Sequence, residues 1–165
     1  MSYARKNTAD TVPCYDKALD LLARRAHSVA ELTRKLAERG YSEEQIDSTI
    51  ARLEDYGFLN DQAYATHLAE KLRDSRGFAP RRIAQELRQR GVQRDETEET
   101  LSALSEDFDA GEAIRALLAG KFARHLDSEQ GRRRAAAALQ RMGYGYSDIR
   151  AAFRAIEQME DEENG

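Results

Sequence analysis

The sequence predicts an all-α fold of three tandem three-helix repeats forming an elongated, curved array. Three observations predict it. Three glycines, Gly40, Gly91 and Gly143, anchor one recurring pattern at spacings of 51 and 52 residues. Helix-start and helix-stop signals then follow each other along almost the whole chain. Nowhere do four or more residues alternate convincingly at a period of two, as strands require.

The recurring pattern is specific at several positions. Four residues before each glycine stand Leu36, Leu87 and Leu139, and one after stand Tyr41, Val92 and Tyr144. Ile50, Leu101 and Phe153 come ten after, and Leu53, Leu104 and Ile156 thirteen after. The register weakens at Ala135, which matches Leu32 and Ile83, and at Thr97, which matches Ile46 and Ile149. A period of this length marks helical units that stack on their neighbours, and such arrays generally lie along another macromolecule.

Element by element, residues 1–14 lack helical periodicity, contain Pro13 and read as a flexible arm. Ala18, Leu19, Leu22 and Ala26 form the apolar face of a first helix. Ser28 with Glu31 is a capping box, in which hydroxyl and carboxylate each satisfy an otherwise free backbone donor. The helix it opens passes through Leu32 and Leu36 and stops at Gly40, a residue suited to a left-handed cap. Ser42 with Gln45 opens the third helix, through Ile46, Ile50 and Leu53 to Gly57. Asn60 or Asp61 caps the fourth, with Tyr64, Leu68 and Leu72 on one face and Gly77 at its end. Pro80 suits the first turn of the fifth, where its missing N–H is harmless; Ile83 and Leu87 face inward and Gly91 closes it. A shorter helix spans about Arg94 to Leu104. Asp107 opens the seventh, through Ile114, Leu117, Leu118 and Phe122. Ser128 precedes the alanine-rich stretch Arg132 to Met142, a strong helix former, and Ser147 caps the last helix through Ile149, Phe153 and Ile156. The organisation is therefore an arm at 1–14, repeats at 15–58, 59–105 and 106–160, and an acidic tail at 161–165.

Composition narrows the function classes. The 165 residues are 34% charged and 41% apolar, too apolar for disorder. No run approaches the ~18 apolar residues of a membrane span, and the N-terminus lacks the apolar core of a signal peptide. The single Cys14 forms no internal disulfide. A cytoplasmic protein without membrane contact is expected.

Net charge is −4, but the charges are segregated. Lys71–Arg94 holds eight bases against two acids, Asp95–Glu112 eight acids and no base, and Arg115–Arg141 seven bases against two acids. The stretch Glu157–Gly165 adds five acids. Such segregation restores an anionic partner that net charge alone argues against.

Catalytic patterns are missing from the sequence. His27, His67 and His125 lie far apart, each without a second ligand type at metal spacing, and read as surface or interhelix histidines. Gly120-Lys121 resembles the end of a phosphate-binding loop, but Phe122 replaces its hydroxyl residue. Glu98-Glu99 reads as solvated surface, since catalytic acids need burial to shift their pKa. No enzyme and no cofactor are expected.

Binding residues are easier to nominate. Arg81 and Arg133 each stand ten residues before a cap glycine, so Arg81-Arg82 and Arg132-Arg133-Arg134 occupy matching repeat positions. Arg34 and Lys35 lie a turn further along the matching helix of repeat one. With Arg73, Arg76 and Arg88 from the middle basic run, these are the candidate contacts for an anionic surface, because the guanidinium fork suits phosphate and carboxylate alike. Tyr41, Phe58, Phe78, Tyr144 and Tyr146 interleave with the bases. Tyr41 and Tyr144 follow cap glycines, where an apolar contact closes the helix end, so both are expected in the core.

Asn60-Asp61, Tyr64-Ala65, Arg73, Arg76-Gly77, Ile83, Glu86-Leu87 and Gly91-Val92 together resemble the central signature of the RecX family, regulators of the bacterial RecA recombinase. Ala23-Arg24-Arg25, His27-Ser28, Glu31-Leu32, Lys35-Leu36 and Gly40-Tyr41 extend the resemblance into repeat one. Arg132, Leu139, Arg141, Gly143-Tyr144 and Ile149 extend it into repeat three, so that it covers roughly residues 16 to 157. The resemblance implies a curved array lying in the groove of the RecA–DNA filament. It implies inhibition of recombinase and ATPase activity, effects on recombination, repair and the SOS response, and in some members weak direct binding to DNA. A monomer is expected. Ala26, Gly145-Tyr146 and the acidic run 95–112 depart from the family pattern.

Two other readings compete. Repeat one resembles the front of a winged helix-turn-helix DNA-binding domain, although no strand pair follows Leu53 and the helix after its turn is acidic (Glu43, Glu44, Asp47, Glu54, Asp55). A generic helical-repeat adaptor for an unrelated peptide is the third.

Overall fold

The computed structural model describes residues 11–163, so the predicted arm lies mostly outside the described residues. Nine α-helices follow one another among them, with no strand. They are α1 (Cys14–Arg24), α2 (Val29–Ala37), α3 (Glu43–Asp55), α4 (Asp61–Arg76) and α5 (Pro80–Gln89), then α6 (Arg94–Ser105), α7 (Ala110–Ala119), α8 (Glu129–Arg141) and α9 (Tyr146–Glu163). A short 3-10 turn, Ala123–His125, sits between α7 and α8. No wing follows α3, which removes half of the winged helix-turn-helix pattern.

The glycine-centred signature has a physical cause. Gly40, Gly91 and Gly143 all have positive φ, and the residue after each donates its N–H back to the leucine four before the glycine. Those bonds run from Tyr41 to Leu36 (3.4 Å), Val92 to Leu87 (3.1 Å) and Tyr144 to Leu139 (3.1 Å). This six-to-one closure satisfies a carbonyl that the helix leaves open, and it folds the following apolar side chain under the helix end. Leu36, Leu87 and Leu139 are fully buried, with Tyr41, Val92 and Tyr144 nearly so. The two weak register positions are buried as well. Ala135 takes the place of a leucine, and Thr97 turns its hydroxyl onto the Gln93 carbonyl at 2.8 Å, which makes a threonine tolerable there.

The described chain gathers into two compact units. One holds residues up to Leu68 together with Leu87–Thr97; the other holds Ala69–Glu86 with residues from Glu98 onward. Helices α4, α5 and α6 each contribute one part to either unit.

In the first unit α1, α2 and α3 pack on one another around Ala18, Leu21, Leu32, Leu36, Tyr41, Ile46, Ile50, Leu53 and Leu59. Both predicted capping boxes form, Ser28 with Glu31 and Ser42 with Gln45. Helix α1 ends two residues earlier than its apolar spacing suggests. Leu21 takes the buried place, and Ala26 lies beyond the helix, exposed. The chain is anchored already at Val12, whose carbonyl accepts the Tyr41 hydroxyl at 2.9 Å. Asn60 caps α4 by accepting the Ala63 N–H at 2.9 Å. That leaves Asp61 for a distant task, accepting the N–H of Val29 at the start of α2 (2.8 Å).

In the second unit α9 packs against α7 and α8 around Ile114, Leu118, Phe122, Ala135, Leu139, Met142, Tyr144 and Ile149. Two starts differ from expectation. Asp109 rather than Asp107 caps α7, because its carboxylate reaches the Glu112 N–H (2.8 Å) while Phe108 packs on the core. Helix α9 begins at Tyr146, not after Ser147, since the Gly145 carbonyl already accepts the first helical bond from Ile149.

Candidate anion-binding surface

The start of α5 is bolted to the turn between α8 and α9. The Ala79 N–H donates to the Met142 carbonyl, and the Tyr144 hydroxyl donates to the Gly77 carbonyl, each at 2.9 Å. Gly143 permits the approach: a Cβ there would stand 2.7 Å from the Arg82 backbone nitrogen. The result is a cleft of about 360 Å³ lined by Arg81, Arg82 and Gln85 on one side and Gln140, Arg141 and Tyr146 on the other. No acidic residue among the described residues lines it.

The arginines of this cleft differ in their freedom. Arg82 is half-buried, its Nη2 bonded to Glu86 one turn on (2.7 Å) and its guanidinium 5.2 Å from the centre of the Phe78 ring. Its Nε–H is buried with no acceptor. Arg81 and Arg141 are exposed and have no ion-pair or hydrogen-bond partner among the described residues. Arg141, which sequence reasoning did not nominate, thus joins Arg81 and Arg82. Its signal was its place two residues before the cap glycine Gly143, in a turn that a neighbouring helix start approaches.

The other nominated residues sort by what already holds them. Arg132 donates to the Leu126 carbonyl (2.8 Å) and approaches Glu157 (3.6 Å), and Arg133 pairs with Glu129 one turn back. Of that run, Arg134 alone is exposed without a partner among the described residues. Arg73 pairs with Asp74 at 2.8 Å, and Arg34 loosely with Glu38 at 3.9 Å. Lys35 is half-buried; Arg76 and Arg88 are exposed and have no partner among the described residues. Exposed pairs such as Arg133–Glu129 are worth ~0–1 kcal/mol and yield readily to a stronger anion.

His27 is buried, and its Nδ1–H donates to the Arg25 carbonyl at 2.9 Å. Burial, with the Arg25 charge nearby, holds its pKa below the ordinary value. Beside it, burial pushes Glu31 upward. Bonds from Arg25, the Ser28 N–H and the Tyr64 hydroxyl outweigh that and leave its carboxyl lowered. Burial and contact with this carboxylate push Tyr64 up to about 12. These groups are structural: they fix the entry to α2. His67 and His125 are exposed, and no group of three or more metal-ligating side chains exists among the described residues.

Comparison with known proteins decides the lineage. Residues 14–53 match the model of the first three-helix domain of RecX, and residues 60–101 that of the second. The chain belongs to the RecX family. It is 36% identical over 143 residues to the regulatory protein RecX of Trichlorobacter lovleyi, covering 85% of this chain and 93% of that one. It is 37% identical over 151 residues to RecX of Halorhodospira halophila, covering 91% of each. Two solved RecX structures share the fold. One superposes with a TM-score of 0.70 at 21% identity over 86% of this chain and 70% of its own. The other, from Lactobacillus salivarius, gives 0.69 at 21% identity over 88% and 95%. As a RecX-family chain the protein is a regulatory protein, and no helix among the described residues is long and apolar enough to cross a membrane.

Proposed function

We propose that this chain regulates a RecA-type recombinase, mainly as an inhibitor, by binding along the groove of the recombinase–DNA filament. The observation that carries the reading is the tandem pair of RecX three-helix domains, within a family match that spans most of the chain. The repeats at 15–58, 59–105 and 106–160 act as successive weak contact zones. Bridging adjacent subunits of a polymer gains avidity that no single zone supplies, so filament is preferred to free subunit. Arg76, Arg81, Arg88 and Arg134 are the foremost contacts, since each is exposed and has no partner to give up among the described residues. Through the filament the protein restrains recombination and repair and the SOS response, as a cytoplasmic monomer.

The test is co-sedimentation with recombinase filaments assembled on single-stranded DNA, beside bare DNA and recombinase alone, with ATP hydrolysis followed in parallel. Pelleting with the filament and slowed hydrolysis are expected. Arg81→Glu weakens pelleting at moderate salt while helical content stays unchanged. Arg81 is preferable to Arg82 for this purpose, because a second carboxylate beside Glu86 would disturb α5 itself. Unchanged pelleting of Arg81→Glu removes this face from the contact, and pelleting with none of the three removes the regulatory reading.

A further inference from the structure

The cleft between α5 and the α8–α9 turn holds more chemistry than a filament contact requires. Arg81 and Arg141 offer two guanidinium groups, and no carboxylate among the described residues lines the cleft wall. Arg82 lies half-buried beside them, its guanidinium already held by Glu86. An anion alone would be satisfied by these. The same cleft also carries the side-chain amides of Gln85 and Gln140 and the ring of Tyr146, which is 66% exposed. A large aromatic side chain left in water beside unpaired arginines asks for a flat, apolar face attached to an anion.

We propose that this cleft is a nucleotide-binding subsite, in which Arg81 and Arg141 take the phosphate and the Tyr146 ring carries the base. The amides of Gln85 and Gln140 each present a donor and an acceptor to a base edge, the pairing that nucleobases use. An acidic peptide would answer the arginines but leave the ring and both amides unused. A cleft of about 360 Å³ has room for one nucleotide unit, whether free or as an unstacked residue of a single strand. Tyr146 opens α9 and is exposed, whereas the buried Tyr144, two residues earlier, is spent on the core. The subsite shares Arg81 with the proposed filament face but needs no recombinase, so the two readings are tested apart.

The experiment uses the full chain and a short fluorescein-labelled oligothymidine, read by anisotropy. Competitors are the unlabelled strand, a nucleoside triphosphate, tripolyphosphate without a base, and the duplex of the same length. The labelled strand binds, and tripolyphosphate competes more weakly than the unlabelled strand. Tyr146→Ala weakens binding roughly 5-fold or more, as loss of one stacked base predicts, and Tyr146→Phe restores it. Each lost phosphate contact on a single strand lowers the salt slope by about 0.7, so Arg81→Ala with Arg141→Ala, which frees the one phosphate both arginines take, flattens it by roughly 0.7. Tyr146→Ala leaves that slope unchanged. Competition by the nucleoside triphosphate assigns a free nucleotide, and its failure beside tight strand binding assigns a strand residue; both uphold the subsite. Binding of Tyr146→Ala equal to the parent, tripolyphosphate displacing the labelled strand as well as the unlabelled strand does, or duplex bound as tightly as strand each overturns it. All three substituted side chains are exposed, and unchanged ellipticity verifies the fold. Loss of filament pelleting with nucleotide binding intact would sink the regulatory reading alone.

Discussion

Replacing Gly91 by alanine separates two costs that a cap glycine hides. Gly57 and Gly91 have nearly the same backbone, φ +73° and +74°, so an alanine at either carries the left-handed penalty of about 1–2 kcal/mol. Their surroundings differ. A Cβ at Gly57 would meet nothing within 4 Å, whereas one at Gly91 would lie 2.4 Å from the Cβ of Ala30. Carbon atoms rest at about 3.5–4.0 Å, so more than 1 Å of movement is needed. Neither Cβ is the loose end of a side chain, and the start of α2 has to move away from the end of α5. Ser28 opposes that movement, since its hydroxyl donates to the Arg90 carbonyl at 2.5 Å. Overpacking of this kind adds about 1–3 kcal/mol, so Gly91→Ala is expected to cost about 2–5 kcal/mol against about 1–2 for Gly57→Ala. Guanidinium denaturation followed by helical ellipticity measures both. Adding Ala30→Gly to Gly91→Ala removes the collision and recovers the excess, less about 1 kcal/mol for a glycine in a helix. Equal losses at Gly57 and Gly91, or no recovery from Ala30→Gly, would refute the close approach as the reason for a glycine at 91.

The same denaturation assay checks three further expectations. Ser28→Ala removes both the α2 cap and the donor to the Arg90 carbonyl, for a loss of about 2–4 kcal/mol. A loss under 1 kcal/mol would mean that the two bonds do not both count. Tyr144→Phe leaves the Gly77 carbonyl without its hydroxyl donor and costs about 1–2 kcal/mol, with Tyr41→Phe behaving alike through Val12. The folded state lowers the His27 pKa from 6.5, so below that pH the unfolded chain binds more protons and stability falls with pH. Glu31, also lowered, adds its own loss further down, below about its ordinary 4.5. His27→Gln keeps a donor for the Arg25 carbonyl and flattens the stability profile between pH 5 and 6.5, roughly the window histidine titrates in; an unchanged slope would place the dependence elsewhere.

Local chemistry made most helices legible. The two capping boxes, the cap glycines and the leucines four residues before them depend on neighbours within one turn, and each formed as read. The failures were at starts where several acceptors compete within three residues. Asp107 and Asp109 are equally good caps by composition, and only the packing of Phe108 on the core selects the second. Asn60 and Asp61 are both open as caps of α4 in the sequence; Asn60 does that work, and Asp61 reaches 32 residues back to Val29. The candidate surface was legible as charge and not as geometry. That Arg82 would be claimed by Glu86 followed from their spacing of four. That Arg132 would turn to Leu126 and Glu157, or that Arg141 would face Arg81 across a cleft, depended on contacts far apart in sequence.

Ser28 holds one oxygen that serves two helices at once, accepting from the Glu31 N–H at the head of α2 and donating to the Arg90 carbonyl at the foot of α5. Neither terminus can fray without withdrawing the other's support. Segments 62 residues apart in the chain should therefore open in step, with the amides of the first turn of α2 and the last turn of α5 exchanging their hydrogens at one common rate. A single hydroxyl thereby turns two ordinary helix ends into one cooperative unit.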